Sequence, residues 1–215
     1  KVDVAVFEVA RVGIVKRGLA TSNVGGAVVM NVSEDHLGVN GIDSVADLAL
    51  AKFTVQQAVR PGGHNVVNLD DELSHSFIDD LPRSKAFFSQ HLAESELLNH
   101  LKDPEDYACF VQDGAFYVYR HGEKQHIAAI DDVDLTYKGL AKHNIENVLA
   151  AICLSLELGR SYAEITAGLL AFKNDENNQG RFNLFDVKGS KILVDYGHNL
   201  EIGRASCRER VSSPV

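Results

Sequence analysis

The chain contains no tryptophan, one methionine, four prolines and three cysteines in 215 residues. Cys109, Cys153 and Cys207 are too few and too far apart for a disulfide scaffold or a zinc ribbon. Sparse cysteine of this kind points to a reducing, cytoplasmic setting. Positive charge is also short: 21 Lys and Arg face 30 Asp and Glu, a net charge of −9. That excludes general affinity for nucleic acid or an anionic membrane, both of which need a basic surface. No apolar run reaches the roughly 20 residues of a membrane span, and the first residues read as the continuation of a strand rather than as a secretory leader. The phosphate-cradling pattern GxxxxGK[ST] is missing as well.

What remains is an ordinary globular composition, 45% hydrophobic and 24% charged. The stretches VDVAVFEV (2–9) and AVVMNV (27–32) are near-continuous apolar runs, the mark of strands covered on both faces. Ser44 to Asp47 reads as a capping box opening a helix to about Val59, which the Arg60-Pro61-Gly62-Gly63 turn ends. His64–Leu69 and Lys85–Ser89 read as further strands, with helices near Asp70–Asp80 and Glu94–Lys102. This alternation predicts an α/β fold with a mostly parallel sheet flanked by helices. Residues 107–130, with turns at Asp113-Gly114 and His121-Gly122, predict a small antiparallel meander. Helices over His143–Leu158 and Tyr162–Phe172 follow, and the polar run Lys173–Gln179 has the composition of a linker. After it, GRFNLFDVKGSKILVDYGHN (180–199) forms a hairpin pattern that ends on Asp195, Tyr196 and His198.

Four groups of residues suggest chemistry. Glu8 and His36 follow two apolar strands; a carboxylate and an imidazole at neighbouring strand ends suit a divalent cation such as Mg²⁺, which takes few protein ligands. Each alone reads better as a solvent-facing carboxylate and a loop histidine, and only together do they favour a metal. Lys52 shares a helix face with Val45, Leu48, Val55 and Val59. Spacing favours a snorkelling lysine there over one with a lowered pKa. Asn144 and Asn147, three apart at a helix start, present amides able to pair with an adenine edge, although a helix cap is the simpler reading of Asn144. Arg181 suits charge on a transferring phosphoryl group and Asp195 suits ribose hydroxyls; a lone Arg or Asp at a domain border more often forms an exposed ion pair.

In register, the segments VDVAVFEVARVGIVKRGL, VVMNVSEDHLG, KHNIENVLAA and GRFNLFDVKGSKILVDYGHN resemble the Mur ligase superfamily, and within it the cyanophycin-synthetase branch. The likeness covers residues 2–199. It implies a ligase that activates a carboxylate with ATP as an acyl phosphate, which an amine attacks to form an amide. In that branch the amine is arginine and the carboxylate is the aspartate β-carboxylate of a polyaspartate-like substrate. The alternatives are a peptidoglycan-precursor or folylpolyglutamate ligase, or a catalytically inactive binding domain. The resemblance implies ATP and Mg²⁺ as cofactors, Glu8 and His36 as metal ligands, and Lys52 as the lysine that many such ligases carbamylate. It also implies Asn144 and Asn147 at adenine, Arg181 at the γ-phosphate, and Asp195 with His198 at the nucleotide.

Three positions depart from the pattern: Val12 stands where a glycine is usual, Asn177-Asn178-Gln179 where a proline precedes Gly-Arg-Phe, and Leu200 where a proline follows His-Asn. The domain reading is a central ATP-binding domain over 1–176 without its phosphate loop, the start of a C-terminal domain over 177–200, and a non-native tail over 201–215. That tail, EIGRASCRERV onward, is similar to a translated sequencing adaptor. The expectation is an internal fragment of a cytoplasmic ligase, inactive by itself, for which a homo-oligomer remains open.

Overall fold

The computed structural model describes residues 2–34 and 37–196. At its centre is a six-stranded sheet whose spatial order is the chain order. The strands are β1 (Val24–Val29), β2 (Val59–Asn68), β3 (Ser84–Ser89), β4 (Tyr107–Gln112), β5 (Ala115–Arg120) and β6 (Glu123–Ala129). β1 to β4 run parallel, and β4, β5 and β6 pair antiparallel through the two glycine turns. The α/β class, the mostly parallel sheet and the antiparallel flank are therefore as the sequence predicts. A separate antiparallel hairpin, β7 (Asn183–Val187) with β8 (Ser190–Val194), completes the architecture.

Helices cover both faces. They are α1 (Arg11–Arg17), α2 (Val45–Phe53), α3 (Glu72–His75), α4 (Glu94–Leu98), α5 (Lys142–Glu157), α6 (Tyr162–Ala171) and α7 (Asn174–Asn177). Neighbouring strand residues divide between two cores, as a period of two demands. Val66, Phe88, Tyr107 and Cys109 face α5 and α6. Val67, Phe87, Ala108 and Phe110 face α2 and α4. Burial on both faces explains the apolar stretches Val66-Val67, Ala86-Phe87-Phe88 and Ala108-Cys109-Phe110 within these strands.

Several elements differ from the sequence expectation. Residues 2–10 form no strand among the described residues; Val6 and Phe7 are 75% and 71% exposed. An apolar run is stable as a strand only when it has a partner and cover on both faces, and this one has neither. The Ser44 capping box is present, with the hydroxyl accepting from the Asp47 amide and the Asp47 carboxylate accepting from the Ser44 amide. The helix stops at Phe53, however, and a 3₁₀ turn spans Thr54–Ala58. Arg60 to Gly63 is not a free turn but the bulged start of β2: Val24 pairs with Val59 and Gly26 with His64, so four residues of β2 oppose Gly25 of β1. The bulge brings Gly63 so close to β1 that a Cβ there would lie 2.0 Å from the Gly25 carbonyl oxygen. The helix expected over 70–80 is divided into α3 and a 3₁₀ turn at Ile78–Asp80, and the one expected over 94–102 ends at Leu98. Among the described residues no helix is long and apolar enough to cross a membrane.

Candidate functional site

The parallel strands β1, β2 and β3 end on one edge, where an open α/β sheet places ligands. Three side chains hold the backbone that leaves β1. Asn68 Nδ2 donates to the Met30 carbonyl at 2.7 Å, Lys52 Nζ donates to the Asn31 carbonyl at 2.9 Å, and Asp71 Oδ1 accepts from the Val32 amide at 3.2 Å. Lys52 is thus placed at the strand end by a directed hydrogen bond. Asp71 also caps α3, accepting from the Ser74 amide at 3.1 Å and its hydroxyl at 2.5 Å. Its neighbour Asp70 accepts from the Ser89 hydroxyl at 2.5 Å and the Gln90 amide at 2.7 Å, which fixes the end of β3. The Asn68-Leu69-Asp70-Asp71 run therefore ties three strand ends together. Spacing gave no signal for it, since its partners lie 19 to 39 residues away.

The first turn of α5 faces this edge, with its N-terminus free of acidic residues and hence favourable to anions. Gln90 Nε2 donates to Glu146 Oε1 at 2.7 Å, joining the end of β3 to α5. Burial raises the Glu146 pKa against that hydrogen bond, and the charges of Asp70 and Asp71 push the same way. Asn144 does not cap the helix: the N-cap is Ala141, and Asn144 Nδ2 donates instead to the Leu135 carbonyl at 2.8 Å. Asn144 is buried, whereas Asn147 is exposed and donates to Asn144 Oδ1 at 3.1 Å. The two amides do share a face, with the buried one serving as a seat for the exposed one.

Arg181 and Asp195 are brought to the same helix start through Phe182. The Phe182 ring packs edge-on against His143 of α5 at 5.0 Å and against Tyr137 at 5.4 Å. Asp195 Oδ1 accepts from the Phe182 amide at 3.2 Å, and the Arg181 guanidinium lies over the Tyr196 ring at 4.7 Å. Burial lowers the His143 pKa, although the Asp195 charge opposes this. At this edge, then, lie a cation with an aromatic rest, a carboxylate, paired amides and a helix N-terminus.

Glu8 lies in the exposed irregular segment before α1. His36 and His198 fall outside the described residues. Among the described residues no group of three or more His, Cys, Asp or Glu side chains is arranged to hold a metal. The carboxylate of Glu8 has suitable donor chemistry, but by itself it does not form a magnesium site.

Comparison with known proteins supplies the family. Residues 1–155 match the Mur ligase middle domain. Cyanophycin synthetase from Geminocystis herdmanii is 33% identical over 199 residues, which cover 92% of this chain and 23% of that protein. The UDP-N-acetylmuramate--L-alanine ligase of Lachnoclostridium phytofermentans is 27% identical, covering 86% of this chain and 38% of that one. Among solved structures, MurF from Acinetobacter baumannii superposes with a TM-score of 0.60 at 18% identity, over 85% of this chain and 36% of that one. A pseudomurein peptide ligase type C from Methanothermus fervidus gives 0.56 at 19% identity, over 86% and 41%. The chain thus spans about a quarter of the length of the synthetase and under half of each of the others.

Proposed function

Because the chain belongs to the Mur ligase family, we propose that it carries the nucleotide-facing part of an ATP-dependent carbon–nitrogen ligase of the cyanophycin-synthetase type. The observation that carries this reading is the convergence of the β1–β3 ends, the first turn of α5 and the Arg181-Phe182 turn on one edge. The 33% identity to cyanophycin synthetase over 92% of the chain favours that branch.

In this reading a substrate carboxylate attacks the terminal phosphate of ATP, giving an acyl phosphate and ADP. An amine then attacks the acyl carbon, forming the amide, expelling phosphate and releasing a proton. Little covalent help is needed from the protein in such a transfer; positioning and charge neutralisation dominate. Arg181 neutralises the terminal phosphate, Asp195 meets the ribose and with His198 forms the nucleotide motif, and Asn147, seated on Asn144, meets the base. Lys52 holds the end of β1 through the Asn31 carbonyl; carbamylation would exchange its positive charge for a negative one and leave a single N–H on Nζ to donate. The cofactor set is ATP with Mg²⁺, with Glu8 and His36 as candidate ligands; bound magnesium would offset phosphate charge. The substrates are arginine and a polyaspartate-like carboxylate, in the cytoplasm.

The test is an assay of the full-length protein, obtained by extending the gene in both directions, with ATP, arginine and an aspartate-rich primer. ADP release that depends on both arginine and primer is expected. Release with a UDP-muramoyl substrate instead would move the reading to a peptidoglycan-precursor ligase, and none with either would leave a binding domain. The 215-residue chain alone is expected to release no ADP.

A further inference from the structure

The run 173–179, whose composition is that of a linker, contains one of the most heavily hydrogen-bonded side chains in the molecule. Asn174 is 1% exposed. Its Nδ2 donates to the Arg181 carbonyl at 3.2 Å, the Phe182 carbonyl at 3.1 Å and the Tyr137 hydroxyl at 2.9 Å, two hydrogens shared among three acceptors. Its Oδ1 accepts from Asn178 at 3.0 Å, its amide donates to Asp134 Oδ2 at 2.8 Å, and its carbonyl accepts from Asn183 Nδ2 at 3.3 Å. Buried polar groups satisfied this fully specify one geometry rather than a range.

The geometry so fixed is unusual. Phe182 has φ of 50°, a left-handed conformation that a bulky aromatic residue holds only when its surroundings over-determine it. Here they do: Asn174 takes the carbonyls of residues 181 and 182, Asp195 takes the Phe182 amide, and the ring is wedged between Tyr137 and His143. This turn decides where the Arg181 side chain begins. Its far end is placed separately, with the guanidinium over the face of Tyr196, itself 65% exposed.

We propose that Asn174 and Tyr196 are positioning residues for Arg181: the buried amide sets the turn from which the arginine projects, and the aromatic face holds the guanidinium ready for an anionic group. The proposal rests on the reading of Arg181 as a contact to the terminal phosphate of ATP. An arginine held at both ends loses less side-chain freedom on binding than one that samples solvent. A ring face attracts a cation without neutralising it, so the charge stays available to a phosphate.

The test compares MgATP and MgADP affinities of the full-length protein by calorimetry, because only the terminal phosphate distinguishes the two nucleotides. Arg181→Gln is expected to lower the ATP-over-ADP preference about tenfold, the loss of one charge-assisted contact. Tyr196→Leu is expected to lower it about threefold, and Tyr196→Phe, which keeps the ring, to restore it. Asn174→Ala should lower it with ADP affinity held within about twofold. An Asn174→Ala protein that fails to fold would leave the decision to the Tyr196 pair, whose ring is on the surface. If Arg181→Gln lowers the preference and Tyr196→Leu does not, the positioning role is overturned. It is overturned equally if ATP and ADP affinities fall together in either variant, because a general disturbance would do that. If Arg181→Gln leaves the preference unchanged, the phosphate role of Arg181 falls, and the positioning role falls with it.

Discussion

At the scale of single residues, two positions show how close contacts and directed hydrogen bonds govern this molecule. Gly63 faces the Gly25 carbonyl so closely that any Cβ would overlap backbone, which cannot rotate away. Gly63→Ala is therefore expected to cost about 2 to 3 kcal/mol through overpacking, read as a fall in the urea midpoint. An unchanged midpoint would mean that the bulge relaxes freely. Asp71 is the second position, serving both the Val32 amide and the α3 N-terminus. Asp71→Ala should cost about 1 to 2 kcal/mol and speed hydrogen exchange at Val32 more than at Val29. Equal exchange at the two amides would show that Asp71 only caps α3. Such roles are legible in sequence only when they are local. Ser44 and Asp47 are three apart, and their capping box could be read directly. The partners of Asp71 and Asn174 lie up to 40 residues away, and no spacing rule reaches them. Asn144 shows the opposite failure: a residue type that favours caps sits one turn in, because the Leu135 carbonyl needs its donor.

Among elements, the contact between β2 and the end of α5 carries a pH dependence. His64 Nδ1 meets the Glu157 carboxylate at 2.9 and 3.0 Å to its two oxygens, while Nε2 meets the Glu105 carbonyl at 2.9 Å. The Tyr107 hydroxyl donates to the same carboxylate at 2.9 Å. Burial works to depress the His64 pKa, but the hydrogen bond and charge of Glu157 outweigh it, and the pKa is raised. A raised value in the folded state means that the pair's contribution is complete below the ordinary imidazole range and is lost as pH climbs through the folded-state value. Unfolding midpoints should therefore fall as the pH rises from the ordinary imidazole range upward. Glu157→Gln should remove that slope and cost about 3 kcal/mol, the penalty for leaving a buried partner unmatched. A slope that persists in the variant would place its origin elsewhere. Element types in the core were readable because burial on both faces concentrates β-branched and aromatic residues, as at Val66-Val67 and Phe87-Phe88, although Asn65 and Asn68 are buried beside them. Element limits were not, because the bulge in β2 and the 3₁₀ turn before it are set by the approach of β1, which no local pattern reports.

Across the whole molecule, apolar surface is concentrated outside the sheet. Val6 and Phe7 are largely exposed, and Phe185, Ile192 and Val194 of the hairpin are each close to half exposed. Chymotrypsin is expected to cut after Phe7 before it cuts any site in β2 to β5, and mass spectrometry of early fragments would show the order. Early cuts at Phe87 or Phe110 instead would mean that the sheet opens first. The sheet itself has a further consequence. Its strands lie side by side in the order in which they occur along the chain, so each strand pairs with the next one in sequence. Only the β4–β5 and β5–β6 pairings close tight turns, whereas β1 and β2 are separated by residues 30–58, so the antiparallel flank is expected to pair before the parallel strands. The chain order also makes the sheet separable in one direction: shortening the chain from its start removes the outermost strand first and leaves each remaining strand beside the neighbour it already had.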